Sequence, residues 1–179
     1  MKVLIIILAV IGGIIALVLI IALFSRKDYT VTRSITINKP AADIYTYIRH
    51  LRNQMHYNKF TMADPNQKVT YRGTDGTVGF VMAWNGNKQA GEGEQEIKNL
   101  VENERMDIEL RFVRPFAGVS QAPFILTQKS PTETEITWGM SSRMPYPMNF
   151  ILVVADMDSM LGKELEASLM NLKNIMEKS

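Results

Sequence analysis

From Leu4 to Phe24 every position is apolar and none carries a charge. A run of 18 or more such residues predicts a transmembrane helix. At about 1.5 Å per residue it spans roughly 31 Å, close to the thickness of a hydrocarbon core. Beyond Ser25 the pattern breaks into short amphipathic segments. Tyr29 to Ile37 alternates and is rich in Thr, Val and Ile, which predicts a strand. Asn38-Lys39-Pro40 stops it. Ile44, Tyr47, Ile48 and Leu51 then share a face at helical spacing over about 40–51. Pro40 suits a first helical turn and Asp43 the positive end of its dipole. A polar stretch with Met55, Tyr57 and Phe60 has room for a second short helix.

From Lys68 onward the period is two. Strands are predicted over 69–72, 77–84, 91–100, 105–113, 117–127 and 133–140, separated by Gly- and Asn-rich turns. Pro123 should confine the 117–127 strand to an edge or a bulge. After Pro145 and Pro147, Val154, Met157, Leu161, Leu165, Leu169, Leu172 and Met176 recur at helical spacing, which predicts one long helix over 148–177. Gly162 lies within it at a cost of about 1 kcal/mol relative to Ala; a close backbone approach to the sheet would explain it, and so would chance. The fold class is α+β: six or seven antiparallel strands whose apolar face needs the long helix as its cover. The domains are 1–27, an anchor with its flanks, and 28–179, one domain of ordinary size.

Composition refines the picture without changing it. The chain has 20 basic and 18 acidic residues, a balance that argues against nucleic acid as a partner. It has no cysteine, which excludes a lipid-modified N-terminal cysteine and leaves redox compartment open. A cleaved signal peptide would have an apolar stretch of 7–15 residues and a small-x-small cleavage site. The run here is longer and Ala22-Leu23-Phe24-Ser25 is a poor site, so an uncleaved single-pass membrane anchor is expected. Arg26 and Lys27 outweigh Lys2 and favour a cytoplasmic domain. The five residues Ser25 to Tyr29 reach at most about 18 Å, which keeps the domain beside the bilayer. Ala9-x-x-x-Gly13 and Gly12-x-x-x-Ala16 are small-residue pairs of the kind that lets two membrane helices associate.

Several segments together resemble the START-like helix-grip superfamily, in its SRPBCC or polyketide cyclase/dehydrase branch. They are Val31-Thr32-Arg33-Ser34-Ile35-Thr36-Ile37-Asn38-Lys39-Pro40, Asp64-Pro65-Asn66-Gln67-Lys68-Val69-Thr70-Tyr71, Val78-Gly79, Trp84-Asn85-Gly86-Asn87, Gly91-Glu92-Gly93, Asn103-Glu104-Arg105, Thr137-Trp138-Gly139-Met140 and Met160-Leu161-Gly162-Lys163. Members often carry a Trp pair after the first helix, where this chain has Met55 and Tyr57. The resemblance implies a curved sheet wrapped around the long helix, enclosing a hydrophobic cavity. It also implies binding of a lipid, sterol, polyketide or other apolar molecule, in some members with cyclisation or hydration.

The expected cavity wall is Phe80, Met82, Trp84, Met106, Ile108, Leu110, Phe112, Phe124, Trp138, Met140, Met157, Leu161 and Leu165, with Gln95 as its polar residue. Methionines suit a tolerant apolar surface, and apolar pockets with few polar groups are the usual small-molecule sites. An ordinary filled core is the competing reading. Asp156 and Glu164 lie near the inner stripe of the long helix; buried, either would have a raised pKa and serve as an acid or base. His50 and His56 have no third ligand nearby, so no metal site is expected. Phosphate-loop, dinucleotide and nucleophile-elbow motifs are absent, and no cofactor is expected. The Glu92, Glu94, Glu96 row predicts a solvated sheet face. The function expected is a membrane-anchored binding or transfer module for a small hydrophobic ligand. The alternatives are a cyclase or hydratase, which needs an ionisable group in the cavity, and a partner-binding protein whose cavity is filled.

Overall fold

The computed structural model describes residues 2–178. The apolar run forms one helix, α1 (Lys2–Phe24), long and apolar enough to cross a membrane. Its side chains are exposed along almost its whole length, and only Ala22 near its end is buried.

The rest is an eight-stranded antiparallel sheet gripping a C-terminal helix. The strands are β1 (Asp28–Ile37), β2 (Lys68–Arg72), β3 (Val81–Asn85), β4 (Glu92–Val101), β5 (Arg105–Arg114), β6 (Gly118–Gln121), β7 (Phe124–Ser130) and β8 (Glu133–Arg143). Their order is β1-β8-β6-β5-β4-β3-β2, and β7 lies between β5 and β8 beyond the end of β6. Between β1 and β2 come α2 (Ala41–Ile48) and α3 (Gln54–Tyr57), with 3-10 turns at Leu51–Asn53 and Thr61–Ala63. Pro40 precedes α2 as its N-cap in an extended conformation, and Ile44, Tyr45 and Ile48 bury the inner face.

Three expectations need correction. The single strand over 117–127 is two strands, split at Ala122-Pro123; neither is an edge, because each pairs with both β5 and β8. That break raises the strand number to eight. The strand expected over 77–84 starts only at Val81, since Gly76 and Gly79 adopt φ of +82° and +86° and turn the chain. Phe80 is still buried, while Val78 faces solvent. Thirdly, the helix expected over 148–177 is broken. A 3-10 turn (Met148–Phe150) leads into α4 (Ile151–Val154), and α5 (Met157–Lys178) starts afresh. Ala155 is extended between them, and the Asp156 carboxylate accepts the Ser159 N–H at 3.0 Å as an N-cap. Val154 therefore belongs to α4 and is exposed.

The core runs along α5, where Leu165, Leu169, Leu172 and Met176 meet the concave face of the sheet. At Gly162 the close neighbour is a side chain of the sheet and not its backbone. A Cβ there would lie 2.0 Å from the Arg33 guanidinium, which crosses from β1 to the Asp158 carboxylate at 2.9 Å. On the convex face the acidic row of β4 lies on an interior strand, so it is balanced by cross-strand arginines. Arg111 reaches both Glu94 and Glu96 at 2.8 Å, and Arg72 reaches Glu94 at 2.7 Å. Hydrogen bonds from Arg72 and Arg111 hold Glu94 below the usual carboxylate range. Arg111, then Lys98, does the same for Glu96.

Candidate functional site: a cavity at one end of the grip

Between the sheet and α5 lies a cavity of about 530 Å³. It occupies the end of the sheet where β1 begins and β8 finishes, and α3 with the turn Thr61–Ala63 covers it. Local sequence explains its shape. Trp84 on β3 lies flat because its β4 partner is Gly93; a Cβ there would be 2.7 Å from the Arg111 carbonyl and 2.8 Å from the indole. The Trp84 N–H donates to the Ala90 carbonyl at 3.0 Å, and its ring meets Phe112 edge-on. Gly91 takes φ of +68° where a Cβ would strike the Arg114 carbonyl at 2.5 Å. The Gly91-Glu92-Gly93 motif is therefore a packing device for the tryptophan wall.

One wall is a cluster of amides. Gln54, wholly buried on α3, accepts from Asn58 Nδ2 at 2.8 Å and from Gln95 Nε2 at 3.1 Å. Gln95 Nε2 also lies 3.4 Å from the Met82 sulfur. Two donors among these lining residues have no partner: Gln54 Nε2 and Trp138 Nε1. A buried donor left so costs about 1–3 kcal/mol. Charged groups occur only towards the mouth, as Lys59, Arg114 and Glu164, and Arg114 is engaged by Glu92 at 2.8 Å. Tyr29 closes the β1 side; burial pushes its hydroxyl above the usual phenol value, partly offset by the Ser120 and Ser142 hydroxyls.

Of the expected wall, Met82, Trp84, Gln95, Ile108, Leu110, Phe112, Trp138, Met140 and Leu161 line the cavity. Phe80, Met106, Phe124 and Leu165 do not: they are wholly buried in solid core. Phe80 stacks on Tyr71, and Phe124 stacks behind Trp138 with ring centroids 4.6 Å apart. Met157 is half-buried at the start of α5, outside the cavity. Gln95 is 5 % exposed, an interior residue and not a frayed strand end. Asp156 is a helix cap, and Glu164 stands exposed at the mouth. Sequence reasoning missed Tyr29, Gln54, Asn58, Phe60 and Ala122. Gln54 and Asn58 occupy a four-residue helix and its end, too short for any periodicity to separate inside from outside. Tyr57, at the corner after the first helix, is wholly buried and edge-on to Trp138; burial pushes its hydroxyl far above the usual value. His56 meets the Tyr47 hydroxyl and His50 lies 3.8 Å from Asp75. Among the described residues no group of His, Cys, Asp or Glu is placed to hold a metal.

Solved structures with this architecture decide its class. Norcoclaurine synthase from Thalictrum flavum, in complex with dopamine and hydroxybenzaldehyde, aligns with a TM-score of 0.66 at 12% identity, over 89% of this chain and 91% of that one. The fold is a helix grip. The Zhui aromatase/cyclase from Streptomyces sp. R1128 aligns at 0.61 and 10% identity, over 84% of this chain and 94% of the other. A protein from Chromobacterium violaceum aligns at 0.59 and 13%, over 83% and 96%. At such identities the likeness establishes the helix-grip fold and no activity. No protein-family model and no curated protein matches the sequence.

Proposed function

We propose that this helix-grip protein is a membrane-anchored module that binds or transfers a small hydrophobic ligand. The observation that carries the proposal is the cavity itself: about 530 Å³, within the range of small-molecule sites, with aromatic and aliphatic walls. The resident side chains leave it unfilled, which argues against a domain that uses the fold only to contact partners. The amide cluster, with Gln95 at the cavity wall, favours a ligand with a neutral polar group, such as a carbonyl, ester or hydroxyl, on an otherwise apolar body. Among the described residues the interior polar groups are amides, two indoles, thioethers and the Tyr29 hydroxyl, with no carboxylate or imidazole among them, which favours binding over acid–base chemistry. Norcoclaurine synthase and the aromatase/cyclase are the reason to keep turnover of an apolar substrate as the second reading; Tyr29 and Glu164 are then the groups to test.

α1 serves as the anchor in this proposal, with Arg26 and Lys27 on the cytoplasmic side. The test is native mass spectrometry of the full chain purified from membranes, followed by organic extraction. One apolar molecule per chain is the expected result. A chain that carries nothing and takes up neither fatty-acid nor sterol probes contradicts it.

A further inference from the structure

Twelve large apolar side chains outside α1 are exposed among the described residues. Seven of them come from two segments at the anchor end of the domain. Val113, Phe116 and Val119 surround the β5–β6 turn. Tyr146, Val153, Val154 and Met160 follow β8. Single exposed apolar residues are ordinary, but a concentration of them is not.

Strand register puts the hairpin group level with the end of α1. Ser120 pairs with Ser142, and Ser142 with Tyr29, so these three lie in one row. From that row the hairpin continues four residues to Phe116, reaching up to about 13 Å further at 3.3 Å per residue. The linker runs the same way beside β8, since the Met144 N–H donates to the Lys27 carbonyl at 2.8 Å. The hairpin tip and Phe24 therefore come to similar levels. On the other side, buried Asn149 donates through Nδ2 to the Ala22 carbonyl at 2.6 Å and the Ser25 carbonyl at 3.3 Å. The end of α1 is thus held against the domain. Val153 and Val154 follow four and five residues later, within about 8 Å at the helical rise. Between the two groups lies the cavity mouth: Arg114 and Pro115 of the hairpin line it, as do Leu161 and Glu164 just past Met160.

We propose that these two apolar groups form a rim around the mouth that dips into the leaflet α1 leaves, so that the cavity opens into lipid. The proposal rests on α1 crossing the membrane, and it commits the rim to a bilayer because a helix end clamped to the domain holds the rim there. Interfacial apolar surfaces sink about 5–10 Å into the headgroup and acyl boundary.

The chain has no cysteine, so single labels report cleanly. Full-length Phe116→Cys, Val154→Cys and Val101→Cys proteins, each carrying an environment-sensitive fluorophore, are reconstituted into phosphatidylcholine–phosphatidylglycerol vesicles with or without nitroxide-bearing lipids. Val101 is exposed at the β4–β5 turn, the far end of the sheet. The labels at 116 and 154 should shift to the blue and be quenched by nitroxide near the headgroups, and the label at 101 should do neither. Protein retained through alkaline carbonate extraction with all three labels equally water-exposed overturns the rim and leaves the anchor standing. Release by carbonate overturns both. A blue shift that persists in detergent and grows with protein concentration assigns the rim to a second copy instead and also overturns the proposal.

Discussion

The two ends of the sheet are built from the same strands and differ in what fills them. At the far end, Ile35, Ile97, Leu126 and Ile136 meet Ile44 and Ile48 of α2 and Leu172 of α5, and branched side chains close the space. At the end nearer α1, Leu110, Phe112, Met140 and Trp84 face a short helix and a turn instead of a full helix, and about 530 Å³ stays open. The difference shows what makes a cavity in a helix-grip fold. The sheet is continuous; the cover is not, and flat or flexible side chains lie along the wall without filling it.

Substitutions at the two ends should therefore separate stability from binding. The largest effect belongs to the far end: Ile136→Ala should lose about 2–5 kcal/mol in denaturant unfolding of the detergent-solubilised chain, with ligand affinity unchanged in the surviving folded fraction. Next is Gly93→Ala, whose new Cβ meets the Arg111 carbonyl and the Trp84 ring. It should cost about 1–3 kcal/mol and shift tryptophan emission as the indole is pushed from its place. Gln95→Leu nearly conserves volume and removes one donor from Gln54, so stability should fall by about 1 kcal/mol. Loss of the positioned amides should weaken binding about tenfold in a titration. A cavity that does not use its amides would show the stability loss alone.

Smaller effects come from outside the core. Glu94 and Glu96 are held below their ordinary values in the folded state, chiefly by hydrogen bonds from Arg72 and Arg111. The folded state thus binds fewer protons than the unfolded one. Their contribution is complete above about pH 4.3 and is lost as the pH falls from there through the lowered values. Melting temperature should drop below pH 4 more steeply in the native chain than in Arg111→Met. The smallest effect is Gly162→Ala. Arg33 must swing away from its solvent-exposed pair with Asp158, a small loss, while helix propensity returns about 1 kcal/mol. Thermal unfolding should move little in either direction.

Elements with a clear period were legible in the sequence: α1, β1, β4, β5 and the inner stripe of α5. Breaks set by a single backbone conformation were not. Pro123 announced an interruption, yet whether it marks an edge or divides a strand depends on partners far away in the chain. The α4–α5 break turns on Asp156, which resembled a candidate acid because it borders an apolar stripe; the Asp-x-x-Ser spacing of a helix cap was the available signal. For the cavity, alternation identified which side chains face inward, but not how far along the sheet the filling stops. Phe80, Met106, Phe124 and Leu165 face inward as expected and are simply covered by their neighbours. Gln54 owes its importance to Gln95, a residue 41 positions away that only folding brings near.

Both tryptophans of the chain, Trp84 and Trp138, line the cavity, so intrinsic fluorescence observes the site without any label. The most direct measurement is a titration of the full chain in lipid nanodiscs with a brominated fatty-acid ester, an apolar molecule carrying one acceptor oxygen and a heavy-atom quencher. A saturable loss of emission at one molecule per chain is predicted, abolished in Ala122→Leu, which fills the wall between the two rings' strands. Emission that falls only in proportion to bulk ester, and equally in Ala122→Leu, would contradict the account.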